Sequence, residues 1–140
     1  MIGLNPLSIP AAREAVERSR SSGAPMASAP FTLTQETGEQ IGVVVYQAIR
    51  QTRAGDHETV GMVSTALRID DLLASALAND SDKRAIEHCL VDRSSPQPAR
   101  LSGATGCETL VWFDKVGFSS SHPIAFAGRD WEVRLRAADA

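Results

Sequence analysis

The chain has 140 residues, of which 43% are hydrophobic and 22% charged, and a formal net charge of −3. That is the make-up of one globular domain, or of two small lobes sharing a core, able to bury roughly two thirds of its unfolded surface. No strongly basic face supports nucleic-acid binding. With no run of 18 apolar residues and no charged segment leading into an apolar one, the sequence predicts neither a membrane span nor its own export signal.

Met1 to Ile9 is apolar but interrupted by Gly3 and Pro6, so it begins as coil. Ser8 offers a helix cap, and Pro10 suits a first turn, where its missing N–H costs nothing. Ala12, Ala15, Val16 and Ser19 then make a small-residue stripe opposite Arg13, Glu14, Glu17, Arg18 and Arg20. Gly23 fits a left-handed position just past that helix. So weak a stripe places the helix over a sheet rather than inside a core. Pro25 and Pro30 forbid a central strand before Phe31. Phe31, Leu33 and Gln35 alternate as a short edge strand, which Thr37-Gly38-Glu39 turns into the next run.

Gly42 to Ile49 and Val60 to Leu67 are apolar, β-branched runs of strand length. Between them RQTRAGDHE is polar and contains Gly55, so the runs read as antiparallel neighbours joined by a flexible loop. The second run leads straight into IDDLLASAL. Asp70 is placed to cap that helix, Asp71 suits the positive end of its dipole, and Leu72, Leu73, Ala76 and Leu77 fall on one face.

Asn79 to Arg84 is a charged break, which divides the chain into 1–80 and 81–140. Ala85 to Asp92 follows as a strand and RSSPQPAR as a loop. Arg100 to Cys107, with two glycines, is a bent or bulged strand. Leu110, Val111, Trp112, Phe113 and Val116 suit a short buried helix or strand. Pro123 to Phe126 and Trp131 to Leu135 flank AGRD, where Gly128 can take positive φ. Trp131, Val133 and Leu135 face one side; Asp130, Glu132, Arg134 and Arg136 face the other, a half-buried antiparallel strand.

Little in the sequence resembles enzyme machinery. His57, His88 and His122 lie in a loop, a strand and a pre-proline coil, without zinc-site spacing. His88 and Cys89 are adjacent on a strand and point to opposite faces, so they cannot act as a nucleophile–base pair. Cys89 and Cys107 are either buried inert thiols or a disulfide, if the compartment is oxidising and the geometry fits. Asp70 and Asp71 are explained by the helix start, and Ser119-Ser120-Ser121-His122 by a polar loop with no GxSxG elbow. Tyr46 is ambivalent. Its neighbours Val43 and Val45 suit a core, yet a phenol in a central strand is also what a small pocket uses to orient a guest. Met62, Ser64 and Ala66 alternate on the following strand and share that face or pack a helix.

Several ordered blocks of the sequence resemble the CHASE sensor domain. They are NPLSIPAAREAVERSRSSGAPMASAPFTLTQETGEQIGVVVYQAI, TVGMVSTALRIDDLLASAL and PIAFAGRDWEVRL. CHASE domains are the extracytoplasmic input regions of membrane receptors, among them histidine kinases, diguanylate cyclases and the plant cytokinin receptors. The resemblance implies an α+β fold with PAS-like antiparallel sheets and flanking helices in two small lobes. It also implies a membrane-anchored parent with a periplasmic or extracytoplasmic input part, homodimeric at full length, that lacks here its stalk helix and its earliest distal-lobe strands. Carried over residue by residue, a purine-binding aspartate of the plant receptors becomes Asn5, a wall leucine becomes Ala27 and a small threonine becomes Tyr46. An amide supplies no charge, so these exchanges argue for a different ligand or none.

The expectation is therefore a non-enzymatic sensing domain with no cofactor and no metal. A small-molecule ligand would enter between the central strands and the segment from Asn5 to Ala27, against Asn5, Ala27, Tyr46, Met62 and Ser64. The competing expectation is a ligand-free structural or dimerisation module. A hydrolase using Cys89 or His122 is a distant third.

Overall fold

The computed structural model of the protein describes residues 5–33, 40–79, 85–113 and 117–138. Asn5 caps a short 3-10 turn, its side-chain oxygen accepting from the Leu7 N–H at 3.0 Å. Helix α1 (Pro10–Ser22) follows. Its N-cap is Ile9 rather than Ser8, whose hydroxyl instead donates back to the Asn5 carbonyl. The small stripe behaves as expected: Ala12, Ala15, Val16 and Ser19 are its buried residues. Small side chains let the helix lie close enough for the buried Ser19 Oγ to accept from the Ala48 N–H at 2.8 Å, while donating to the Ala24 carbonyl. Gly23, at φ 73°, closes α1 in the left-handed conformation that glycine takes without strain.

The first sheet is built on β3 (Ile41–Arg53). On one side of β3 lie the two-residue strands β1 (Met26–Ala27) and β2 (Phe31–Thr32), and on the other β4 (Asp56–Arg68), all antiparallel. The expected flexible loop between the long strands is corrected here. Pairing continues through Arg50–Thr59, Gln51–Glu58, Thr52–His57 and Arg53–Asp56, and only Ala54 (φ 49°) and Gly55 (φ 87°) turn the chain. Two consecutive left-handed residues make the tight hairpin whose twist matches that of its strands. The segment is polar because it projects beyond the core with both faces in solvent, not because it leaves the sheet. Gln35 and the Thr37-Gly38-Glu39 turn lie outside the described residues, as does most of the 79–84 break.

Helix α2 (Ile69–Ala76) starts two residues earlier than a cap at Asp70 implies. Arg68 occupies the cap position and makes no side-chain cap bond, so Asp70 is not the cap. The Asp70 carboxylate accepts instead from the Ser102 hydroxyl at 2.6 Å, tying α2 to the second sheet. Ile69 is fully buried and Leu73 packs on the same cluster, whereas Leu72 is 42% exposed. The inward stripe therefore runs Ile69, Leu73 at a spacing of one turn.

The second sheet has the order β6-β5-β8-β7, formed by β5 (Ile86–Asp92), β6 (Ala99–Ser102), β7 (Ser119–Phe126) and β8 (Arg129–Ala137). Every pairing is antiparallel. The β7–β8 turn is again two residues, Ala127 and Gly128, so these strands are longer than the sequence suggested. One buried cluster takes side chains from both sheets: Ala27 and Val43 from the first, Leu90, Leu101 and Trp131 from the second, and Ile69 from α2. Full burial of a side chain such as Ile69 stabilises the fold by about 1.5–3 kcal/mol.

The polar face of β8 is not a solvent face, which corrects the half-buried strand expected there. Arg134 is 3% exposed. The segment from Gly103 to α3 (Leu110–Phe113) crosses over it, held by a disulfide between Cys89 and Cys107. Arg134 Nη1 donates to the carbonyls of Cys107, Glu108 and Thr109 at 3.2, 2.9 and 3.1 Å. Trp112 alone of the described α3 side chains is buried, under the Arg136 guanidinium at 4.3 Å from its ring centre; Leu110 and Val111 point outward. At the opposite end of β8, buried Arg129 is paired with buried Asp92 at 2.6 Å, and the second Asp92 oxygen accepts from the Ser94 N–H.

Candidate functional site

Strand alternation sorts the first sheet into two faces. Val43, Val45 and Ala27 point into the cluster shared with the second sheet. Val44, Tyr46 and Met26 point to α1, where Ala12, Ala15 and Val16 cover the Tyr46 ring. Across the β3–β4 ladder, Tyr46 pairs with Ser64, Ala48 with Met62 and Val44 with Ala66, so the alternating set on β4 does share the Tyr46 face. Met62 is half-buried against that cluster, whereas Ser64 and Ala66 are exposed. Helix α1 thus covers β3 and leaves β4 beside it uncovered.

Five residues were expected to line a site, and the fold gathers only some of them. Tyr46, Met62 and Ser64 lie together. Ala27 does not join them: it is 1% exposed and lies on the other face of the sheet, opposite Val45. Met26, directly across from Tyr46, holds the position assigned to Ala27. Asn5 is exposed at the entrance to α1 with its side-chain oxygen engaged in the cap.

Tyr46 is 7% exposed, and burial pushes its phenol pKa above the ordinary value. The neutral hydroxyl is thus the form present near pH 7, able to donate and accept. Among the described residues that hydroxyl has no hydrogen-bond partner, although its ring is packed.

The strip ends in a polar cavity. Helix α1 runs alongside β3 in the same direction, Val16 lying on Tyr46 and Ser19 on Ala48, and the Arg50 guanidinium donates to the Arg20 carbonyl. The antiparallel β4 therefore begins beside the end of α1. There Glu17, Arg20, Ser21, His57, Glu58 and Thr59 line a depression of about 510 Å³. The sequence signal for this end was missed because His57 and Glu58 read as loop. Two further hollows belong to the second sheet, about 590 Å³ beside Arg93, Pro123 and Glu132 and about 380 Å³ beside Ile86, Phe118 and Leu135.

Among the described residues, the Cys89 and His122 side chains considered as catalytic groups are not brought together. Cys89 is fully buried in its disulfide, so it is not a nucleophile. His122 Nε2 lies 3.3 Å from the Ser120 hydroxyl on an exposed stretch of β7, and among the described residues no carboxylate orients the ring. Among the described residues no cluster of three metal-ligating side chains occurs. Nor is any helix of the described residues long and apolar enough to cross a membrane.

Two antiparallel sheets with few helices make a PAS-like, α+β architecture. The fold is similar to the ligand-binding domain of the Pseudomonas aeruginosa PAO1 amino acid chemoreceptor PctC, solved in complex with GABA. The TM-score is 0.59 at 14% identity, over 97% of this chain and 64% of that one. At that identity the likeness is one of fold, and the chain spans 64% of that domain's length. No curated protein sequence matches the chain. The CHASE domain profile matches residues 1–102, and the chain belongs to the CHASE domain family. It is accordingly an extracytoplasmic sensing domain.

Proposed function

We propose that the chain recognises a small polar molecule in the groove between α1 and β4, as the input module of a membrane-anchored signalling receptor. The observation that carries this is the Tyr46 hydroxyl. It is a buried-ring phenol without a partner among the described residues, opposite exposed Ser64 on a strand that α1 leaves open. An unpaired polar group at the edge of a packed cluster is a place where a ligand hydrogen bond adds affinity. Met62 supplies an apolar floor. Glu17, Arg20 and Glu58 give the far end charges of both signs, which suits a zwitterionic or amide-bearing guest. Asn5 orders the turn that delivers α1 onto the sheet.

Such a molecule acts by binding one arrangement of α1 over the sheet better than another, shifting an existing equilibrium. A coupling of about 1–3 kcal/mol is ordinary for this behaviour. In the parent, residues 1–80 would be the remainder of a membrane-distal lobe and 81–140 a membrane-proximal one. A periplasmic, homodimeric receptor with a histidine kinase or diguanylate cyclase output fits this reading.

A ligand-free structural or dimerisation module is the second reading. It is favoured by the direct packing of Ala12, Ala15 and Val16 on Tyr46, which leaves little space above the ring. Amide chemical-shift mapping of the 140-residue chain separates the two. The probes are the common amino acids, GABA, short carboxylates and purines. Shifts confined to residues 12–20, 44–48 and 57–66 support the groove. No response to any probe, or shifts only in the second sheet, reject it.

A further inference from the structure

The turn between β7 and β8 belongs to the second sheet, yet it is held by the first. Its Ala127 carbonyl accepts from the Ala27 N–H of β1 at 2.8 Å. Its Gly128 carbonyl accepts from Arg18 Nη2 of α1 at 2.9 Å. Gly128 also lies under the Met26 side chain so closely that an added Cβ would stand 2.3 Å from Met26 Sδ and 3.0 Å from Arg18 Nη2. Met26 in turn packs in the Tyr46 cluster beneath α1. Helix α1, β1 and the turn therefore meet through side-chain and backbone contacts at one point.

Both turn residues have positive φ, 43° and 75°, so the turn has one tight shape and moves as a unit. Beyond it Phe126 stacks on Trp131, ring centres 4.2 Å apart, and Trp131 is buried in the shared cluster. A displacement of α1 or Met26 cannot be absorbed at the turn by a flexible loop.

We infer that the β7–β8 turn is the junction by which the position of α1 on the first sheet is passed to β8. Arg18 and Met26 are its positioning residues. This deepens the proposed sensing role and rests on α1 being the element that a ligand moves. Residues linked in one contact network couple, whereas distant independent ones add.

The test needs no ligand. Val16→Ala loosens α1 over Tyr46 without touching the turn, and hydrogen exchange reports opening at the amides of 129–133 in the intact chain. With Arg18 present, Val16→Ala speeds that exchange at least about threefold. With Arg18→Ala as background, the same substitution changes it by less than half as much, while residues 44–48 still respond. Gly128→Ala, which forces Met26 aside, serves as a second uncoupling background if Arg18→Ala unfolds the chain. An equal response in coupled and uncoupled backgrounds would overturn the inference, since the shared core would then be the route. A missing response in every background would overturn it too. Because no binder is used, failure to find a ligand and failure of this coupling are separate results.

Discussion

Reduction of the Cys89–Cys107 bond should destabilise the whole chain by about 3 kcal/mol. The bond closes a loop with a sequence separation of 18, and cross-linking a loop of that size removes about 11 cal/mol/K from the unfolded ensemble. The structure adds a second effect. The bond holds the 103–113 segment over β8, where the carbonyls of Cys107, Glu108 and Thr109 receive the buried Arg134 guanidinium. Once released, that segment would withdraw three carbonyl acceptors from a charge of 3% exposure that then keeps its Glu132 partner, so a Cys89→Ala/Cys107→Ala variant should lose at least as much. Guanidinium unfolding followed by tryptophan fluorescence reads both effects, since Trp112 is a buried residue of the segment itself and Trp131 lies in the shared core. A fall in midpoint, with a slope that rises as the unfolded chain expands, and a Tm lower by roughly 10 °C, is the expected result. Equal stability with and without reductant would refute the argument, because it would mean the loop is as constrained without the bond.

Asp92→Ala leaves Arg129 buried and uncompensated, so a loss of about 3–5 kcal/mol is expected in denaturant unfolding, larger than for the exposed pair Arg68–Asp71. Ile69→Ala empties a fully buried position at the start of α2 and should cost about 2–5 kcal/mol by the same assay. Glu132 sets a pH dependence. Burial alone would raise its pKa, but hydrogen bonds from Arg134, Arg93 and Ser121 outweigh this and hold it below the ordinary carboxylate value. A lowered folded-state pKa means stability that is present above the unfolded value and lost as pH falls through the folded one. Glu132→Gln should therefore flatten the acid limb of the stability–pH curve below about pH 4.3, read as Tm against pH.

What could be read in the sequence is what depends on local period. The small stripe of α1, the two valine-rich strands and the alternation of β8 are each set by side chains within one element. What could not be read depends on partners far along the chain. Ala27 and Met26 are neighbours in a two-residue strand, and only pairing with Val45 and Tyr46, nearly 20 residues away, decides which one faces α1. Arg134 looked solvent-facing because nothing local announces that the 103–113 segment crosses over it. Asp70 looked like a cap because its use by Ser102 is a contact across 32 residues. The RQTRAGDHE stretch hides its pairing for a different reason: hairpin strands that project beyond a core have no apolar requirement on either face, so polarity carries no information about pairing there.

The sensing account stands or falls on the groove between α1 and β4. Calorimetric titration of the wild-type chain against the amino acid, carboxylate and purine probes, repeated with Ser64→Trp, addresses it directly. Ser64 is exposed, so the substitution fills the groove while leaving the fold intact. The account predicts one-to-one binding of at least one probe to the wild type and at least about tenfold weaker binding to Ser64→Trp, a change of about 1.4 kcal/mol. Binding of equal strength to both proteins, or no heat from any probe, would contradict it.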